Sequence, residues 1–427
     1  MKYIKSSNYS YNLHFIKTDR FKTITIKVNF KSKLKKEEIT SRNMIVSMLC
    51  DSTLNYPSKR LLTLKTEDLY ELNYRAMNYI SGKYNIMTFA FTFLADEYTE
   101  KGNSDKCIEF IGDILFNPNI ETKTNGIQFN QKSFDLSYKV LEDNIKTLKE
   151  MPDLYSKIRL MEYMEPNSLL SYRSCGYIED LEKLTARKLY KYYKKMIESD
   201  ILDIFIIGDI NTHHMKKLIE KNFNIKTLKK PSESHFIIPK KARLIPKTYK
   251  ENFDINQSKL VMGYKIDKTT DFEIRYVLNT LSYILGGGPD SKLFKTVREE
   301  NSLCYSIYST NNPLTSILTI FAGINASDYK KCVGLVKKEV RNIQKGMFTD
   351  EDIIKAKVTY INSLKELEDN PQNVISLYEG IEYLNSDTIR DRIIKINKVT
   401  KRDIIKLASK IHLDTVVLLE GNSNEES

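Results

Sequence analysis

The sequence predicts an α+β fold made of two tandem homologous domains, each a mostly antiparallel sheet layered with helices. Two observations carry this expectation: an internal repeat, and an alternation of strand-like and helix-like periodicity within each copy. Around position 148 the chain reads Leu148-Lys149-Glu150-Met151-Pro152-Asp153, followed by an apolar-periodic stretch up to Met164. Near position 364 it reads Leu364-Lys365-Glu366-Leu367-Glu368-Asp369-Asn370-Pro371, with a similar stretch up to Leu384. Leu184-Thr185-Ala186-Arg187 follows in the first copy and Val399-Thr400-Lys401-Arg402 in the second. Each copy then closes on an apolar run and a glycine, residues 204–207 before Gly208 and residues 416–419 before Gly421. Matches that recur in order, each about half a chain apart, mark a duplication.

Within each copy the elements follow from local pattern. Residues 23–30 keep a period of two, which suits a strand with one face buried, and residues 88–94 form a second β-branched and aromatic run. Residues 106–115 place Cys107, Phe110, Ile111 and Ile114 on one helical face. Thr185 and Thr400 suit helix N-caps, because a threonine oxygen accepts a bond from a free first-turn amide. In the second copy residues 317–324 read as strand and residues 331–343 as helix. The domains are expected at 1–223 and 248–427. A linker over 224–247 carries Lys229-Lys230-Pro231-Ser232 and Pro239-Lys240-Lys241, which is turn and linker chemistry.

Composition narrows the function classes. The 427 residues include 67 Lys or Arg and 55 Asp or Glu, a net charge of +12, with 41% apolar and 29% charged residues. This is globular usage, long enough for more than one core. No apolar run reaches the roughly 18 residues of a membrane span, and residues 1–8 lack the apolar stretch of a secretory signal. Cys50, Cys107, Cys175, Cys304 and Cys332 show no Cys-x-x-Cys spacing, so a reducing, cytoplasmic setting is expected. The densest basic patches are residues 31–36 and 229–243. Elsewhere Lys and Arg are interleaved with Glu and Asp, which argues against a nucleic-acid footprint.

The most specific stretch runs Leu285-Gly286-Gly287-Gly288-Pro289-Asp290-Ser291-Lys292-Leu293-Phe294-Lys295-Thr296-Val297-Arg298-Glu299-Glu300. The glycines suggest a loop with conformations denied to other residues. Asp290 or Ser291 is placed to cap the helix that follows, which buries Leu293 and Val297 and carries Arg298 near its end. After Asn301-Ser302, residues 303–308 alternate as a strand with Tyr305 beside Leu303 and Ile307. Neither a P-loop nor a dinucleotide fingerprint is present, so the glycines do not read as a phosphate cradle.

A duplicated domain with a glycine loop, Ser291-x-Leu293-Phe294, Val297-Arg298-Glu299 and then Tyr305 resembles the C-terminal half of the insulinase/pitrilysin-type zinc peptidases. Mitochondrial processing peptidase is of the same family. Leu184-Thr185 and Ile207-Gly208-Asp209 resemble landmarks of the N-terminal half. The resemblance implies that Arg298 bonds the substrate backbone and that Tyr305 stabilises the oxyanion at the scissile carbonyl. Gly286, Gly287 and Gly288 are assigned to the substrate-binding surface.

The family's inverted zinc motif, His-x-x-Glu-His with a distal Glu, is absent. Its positions fall on Asn43, Val46, Ser47 and Asn144, and the chain's histidines, His14, His213, His214, His235 and His412, do not rebuild it. The adjacent pair His213-His214 reads as ordinary surface at a helix start. Asn, Val and Ser cannot supply two imidazoles and a general base. The expectation is therefore a metal-free, cytoplasmic subunit with no cofactor of its own. Its partner would be a homologous zinc-bearing peptidase chain, and its substrate an extended peptide added as a strand to a sheet edge. No nucleic-acid or membrane partner is expected. The alternatives are a non-enzymatic peptide-binding or scaffold protein of the same fold, or a peptidase active alone with an unusual metal site.

Overall fold

The computed structural model describes residues 1–7, 10–124, 126–223, 225 and 233–422; part of the expected linker, including Lys229-Lys230-Pro231-Ser232, lies outside the described residues. The chain forms two compact units. One is Met1–Thr147, Arg173–His235 and Glu368–Leu384, and the other Leu148–Tyr172, Phe236–Leu367 and Asn385–Ser427.

The first unit contains strands β1 (Lys2–Ser7), β2 (Asn12–Lys17), β3 (Thr23–Lys33), β4 (Asn73–Ser81) and β5 (Tyr84–Leu94), a hairpin of β6 (Ile120–Lys123) and β7 (Gly126–Phe129), and β8 (Ile201–Gly208). Its helices are α1 (Lys36–Asp51), α2 (Lys59–Asp68), α3 (Asn103–Phe116), α4 (Gln131–Lys146), α6 (Ile178–Leu181), α7 (Ala186–Ser199), α8 (Thr212–Asn222) and α12 (Pro371–Leu384). The main sheet runs β1-β2-β8-β3-β5-β4, with β2 and β8 parallel and the other neighbours antiparallel.

The second unit contains α5 (Pro152–Met164), β9 (Lys247–Asn252), β10 (Ser258–Ile266), α9 (Leu278–Gly286), β11 (Cys304–Asn312), β12 (Ile317–Ile324), α10 (Tyr329–Gln344), α11 (Asp350–Glu366), α13 (Ile389–Asn397), α14 (Lys401–Ala408) and β13 (Ile411–Glu420). Its sheet runs β11-β12-β10-β13-β9, with β9 and β13 parallel and the rest antiparallel. Taken from the parallel pair inward, β2-β8-β3-β5-β4 and β9-β13-β10-β12-β11 share neighbours and directions, so the duplication read from the sequence is present as topology. Thr185 caps α7 by accepting from Lys188 N, Thr400 caps α14 by accepting from Asp403 N, and each helix feeds the equivalent strand, β8 or β13.

Each sheet is covered on both faces, rather than on one side as the strand pattern of residues 23–30 suggested. In the first unit Ile26, Val28 and Phe30 pack with α1, α3 and α7 residues, while Ile16, Phe205 and Ile207 meet Val374 and Ile375 of α12 on the other face. In the second, Met262 and Tyr264 pack with α9, α10 and α14. On the opposite face Gly263 lets α5 approach, since a Cβ there would lie 2.8 Å from the Met164 sulfur. Each unit thus takes one helix from the other half of the sequence. Strands buried on both faces become continuous apolar runs, as residues 204–207 are. No described helix is long and apolar enough to cross a membrane, and the five cysteines are free thiols.

His235 is buried at the tip of the β4–β5 hairpin. Its ring stacks on Tyr84 at 4.4 Å and Tyr383 at 5.4 Å, with Nδ1 3.0 Å from Ser81 Oγ and Nε2 without a hydrogen-bond partner among the described residues. Gly82 sits at φ +56, and a Cβ there would fall 1.7 Å from the His235 carbonyl oxygen, so this turn requires glycine. Burial, helped by the Lys31 ammonium, pushes the imidazole down to about 4. The unfolded chain takes up a proton near pH 6.5, while the folded chain resists until about pH 4. The stability His235 contributes is therefore present above pH 6.5 and lost as pH falls toward 4, at up to about 1.4 kcal/mol per pH unit. Denaturant titrations of the native chain and His235→Phe should show a shallower loss over this window in the variant. Equal slopes would mean that His235 titrates alike in both states.

Candidate functional site

The helix that follows the glycine loop is pinned by Leu293 and Val297, both fully buried. Over Phe294–Glu299 it widens to a π-helix, with Glu300 N donating to Lys295 O at 2.9 Å. It stops where Ser302 takes a left-handed φ of +53, and Leu303 N donates to Val297 O. Insertions of this kind re-aim the side chains near them and are frequent at functional sites. Here Arg298 emerges half-buried, its guanidinium 4.6 Å from the Phe294 ring centroid and 5.5 Å from that of Tyr305. Among the described residues no carboxylate pairs with it.

Tyr305 lies on the edge strand β11, where a second irregularity acts. Cys304 pairs with Ile324 but Ser306 with Gly323, so Tyr305 is the extra residue of a β-bulge. Strict alternation would place Tyr305 with Leu303 and Ile307, which are buried. The bulge breaks that phase: Cys304 turns inward and Tyr305 is 77% exposed. The expectation that Tyr305 shares their face is corrected accordingly. The phenol hydroxyl makes no hydrogen bond among the described residues, and a rigid guanidinium fork stands beside its ring. Together they present donors suited to a carbonyl oxygen or an oxyanion. The neighbouring Cys304 thiol is pushed up to about 11 by burial, against the pull of Arg298, and is no nucleophile at neutral pH.

The glycines play a different part from the one expected. None of Gly286, Gly287 and Gly288 has a positive φ. A Cβ on Gly286 would lie 2.6 Å from Ser309 N, and one on Gly287 2.6 Å from Tyr283 Cα. Close packing of α9 on β11 demands Gly286, and the turn of the chain back against Tyr283 of α9 itself demands Gly287; neither need is a special loop conformation. Gly286 is buried and unavailable to substrate, whereas Gly287 is exposed. Ser291 does not cap the helix; its hydroxyl donates back to Gly288 O at 2.6 Å. Asp290 instead pairs with Lys295 and Lys355.

The four positions that the resemblance matched to zinc ligands and base hold side chains unsuited to a metal. Asn43 Nδ2 donates to Ile39 O and Ser174 O, and Val46 packs on the core. Ser47 Oγ donates to Ser137 Oγ of α4 at 3.0 Å. Asn144 is exposed and stands two turns beyond Ser137, so the residue facing the motif helix is Ser137. A serine pair and an asparagine satisfied by backbone carbonyls do not fit zinc. Among the described residues no three His, Cys, Asp or Glu side chains gather where they could hold a metal ion. His213 and His214 start α8, with His214 paired to Asp105 on the surface.

Of the site, sequence reasoning named Phe294 only as a motif landmark, without its stacking role, and missed Ser137. Phe294 stands one helical turn before Arg298 and was legible from spacing. Ser137 and Asn144 share a helix face, so periodicity does not separate them.

A family model described as "Peptidase M16 inactive domain" matches residues 183–360. A "Probable inactive metalloprotease YmfF" of Bacillus subtilis is 26% identical over 423 residues, spanning 98% of this chain and 97% of that protein. A "Non-peptidase homolog YmxG" of Helicobacter pylori is 23% identical over 285 residues, 64% of each chain. Among solved structures, a conserved protein from Enterococcus faecalis is similar with a TM-score of 0.91 at 25% identity, covering 99% of this chain and 100% of that one.

Proposed function

We propose that this chain, which is of the insulinase/pitrilysin (M16) type, acts as the metal-free subunit of a heterodimeric zinc peptidase. The observation that carries the reading is an asymmetry: half-buried Arg298 and exposed Tyr305 stand side by side with no carboxylate on the guanidinium and no hydrogen bond on the phenol hydroxyl among the described residues, while the positions matched to the zinc motif hold Asn43, Val46 and Ser47. The Tyr305 hydroxyl, on a residue that protrudes from a bulge, makes no hydrogen bond within its own unit among the described residues. The relatives named as an inactive metalloprotease and a non-peptidase homologue support the absence of independent peptidase activity. A homologous partner would supply zinc. This chain would hold an extended peptide against its edge strand and direct Arg298 and Tyr305 at the scissile carbonyl.

Metal analysis of the purified chain should find no stoichiometric zinc, and the chain alone should leave peptides uncut. Mixing it with a homologue that carries the intact inverted motif should generate cleavage that neither chain shows alone. About one tightly held zinc per chain, or full activity of the homologue by itself, would overturn the reading.

A further inference from the structure

A cavity of about 570 Å³ opens in the second unit between the start of β13, the C-terminal half of α10 and residues 241–246. Its floor is apolar: Val340 and Ile411 are buried, and Leu413 is partly so. Set into it is Tyr264 of β10, a residue only 2% exposed, whose hydroxyl has no hydrogen-bond partner among the described residues. A buried phenol without a partner is costly to keep, and buried tyrosine hydroxyls are normally bonded.

The rim is cationic. Lys241, Lys337 and Arg341 line the cavity and form no ion pair with a described carboxylate. The other charged lining groups are accounted for, Asp267 by His412 at 3.4 Å and Arg243 by Asp414 at 2.6 Å. Arg341 Nε donates to Lys337 O, and among the described residues the two terminal nitrogens of the fork have no hydrogen-bond partner. Burial raises the Tyr264 pKa, and the charge of Arg341 opposes that rise, so the guanidinium acts on the phenol.

We infer that this cavity binds an organic carboxylate with an apolar body, the carboxylate held by Tyr264 and Arg341 and the body resting on Val340, Ile411 and Leu413. The volume is that of a small-molecule pocket, far more than an inorganic anion needs. Its chemistry fits both a free organic acid and the C-terminal carboxylate of a short apolar peptide. The site does not use Arg298 or Tyr305, and β12 stands between β10 and β11, so its fate is independent of the proposed peptidase role.

The test is calorimetric titration of the full chain with N-acetyl-leucyl-leucine, with its C-terminal amide, and with octanoate. At least one carboxylate should bind, and the amide should bind about tenfold or more weakly than the acid. Preference for the dipeptide identifies a peptide C-terminus as the source, and preference for octanoate a free acid. Tyr264→Phe should weaken carboxylate binding about tenfold without lowering the melting temperature, because the hydroxyl has no partner to lose. Arg341→Gln, at an exposed position, should weaken it similarly. Binding of neither acid, equal binding of acid and amide, or unchanged affinity in both variants would overturn the inference.

Discussion

Under the proposed role, Tyr305→Phe is expected to lower peptide turnover by the chain mixed with a zinc-bearing homologue on the order of 100- to 1000-fold, the usual loss when one oxyanion donor is removed. The substitution deletes a single oxygen of an exposed side chain that makes no hydrogen bond among the described residues. Stability and partner affinity should therefore hold, and the defect should fall on kcat rather than on assembly. Arg298 should divide differently. Arg298→Lys retains a charge but loses the planar fork that rests on Phe294 and Tyr305, so a loss close to that of Arg298→Ala would show that geometry, not charge alone, is used. The assay follows cleavage by the zinc-bearing homologue mixed with each variant. Full activity with Arg298→Ala and Tyr305→Phe combined would make the pair structural, and the scaffold reading would replace the peptidase one.

The site illustrates which features a sequence displays and which it hides. Thr185 and Thr400 announce helix starts because capping is local, decided within three residues. The duplication was legible for the same reason, as a series of local signals at a fixed spacing. The bulge at Tyr305 has no such signal: residues 303–308 alternate as any half-buried strand does, and the slipped pairing with β12 is a property of two strands together. Glycines 286 and 287 misled in the opposite direction, since composition suggests conformational freedom where the need is for the absence of a Cβ beside Ser309 and Tyr283. The destinations of α5 and α12 were equally hidden. Their apolar faces specify that something must cover them, and only tertiary packing decides which sheet does so.

A larger effect on stability is expected from Asp200→Ala, because it strands a buried charge. Arg42 of α1 is fully buried, and its terminal nitrogens reach Asp200 Oδ2 at 2.6 Å, Phe30 O at 2.9 Å and Tyr192 OH at 3.3 Å, while Nε has no partner among the described residues. Burial works against the charge, but the Asp200 carboxylate and the Tyr192 hydroxyl more than offset it, so Arg42 stays ionised. Asp200 ends α7, and the ion pair ties α1 to the helix leading into β8. Without the carboxylate the guanidinium keeps a carbonyl and a phenol but no counter-charge, and about 3–5 kcal/mol should be lost. Arg42→Met in the Asp200→Ala background should recover much of it, because an apolar side chain of similar length needs no counter-ion. Equilibrium denaturation of the native chain, both single variants and the double variant gives the coupling energy directly. A loss under about 1 kcal/mol for Asp200→Ala, the size seen for exposed pairs, would mean that Arg42 escapes to water and that α1 is free to move.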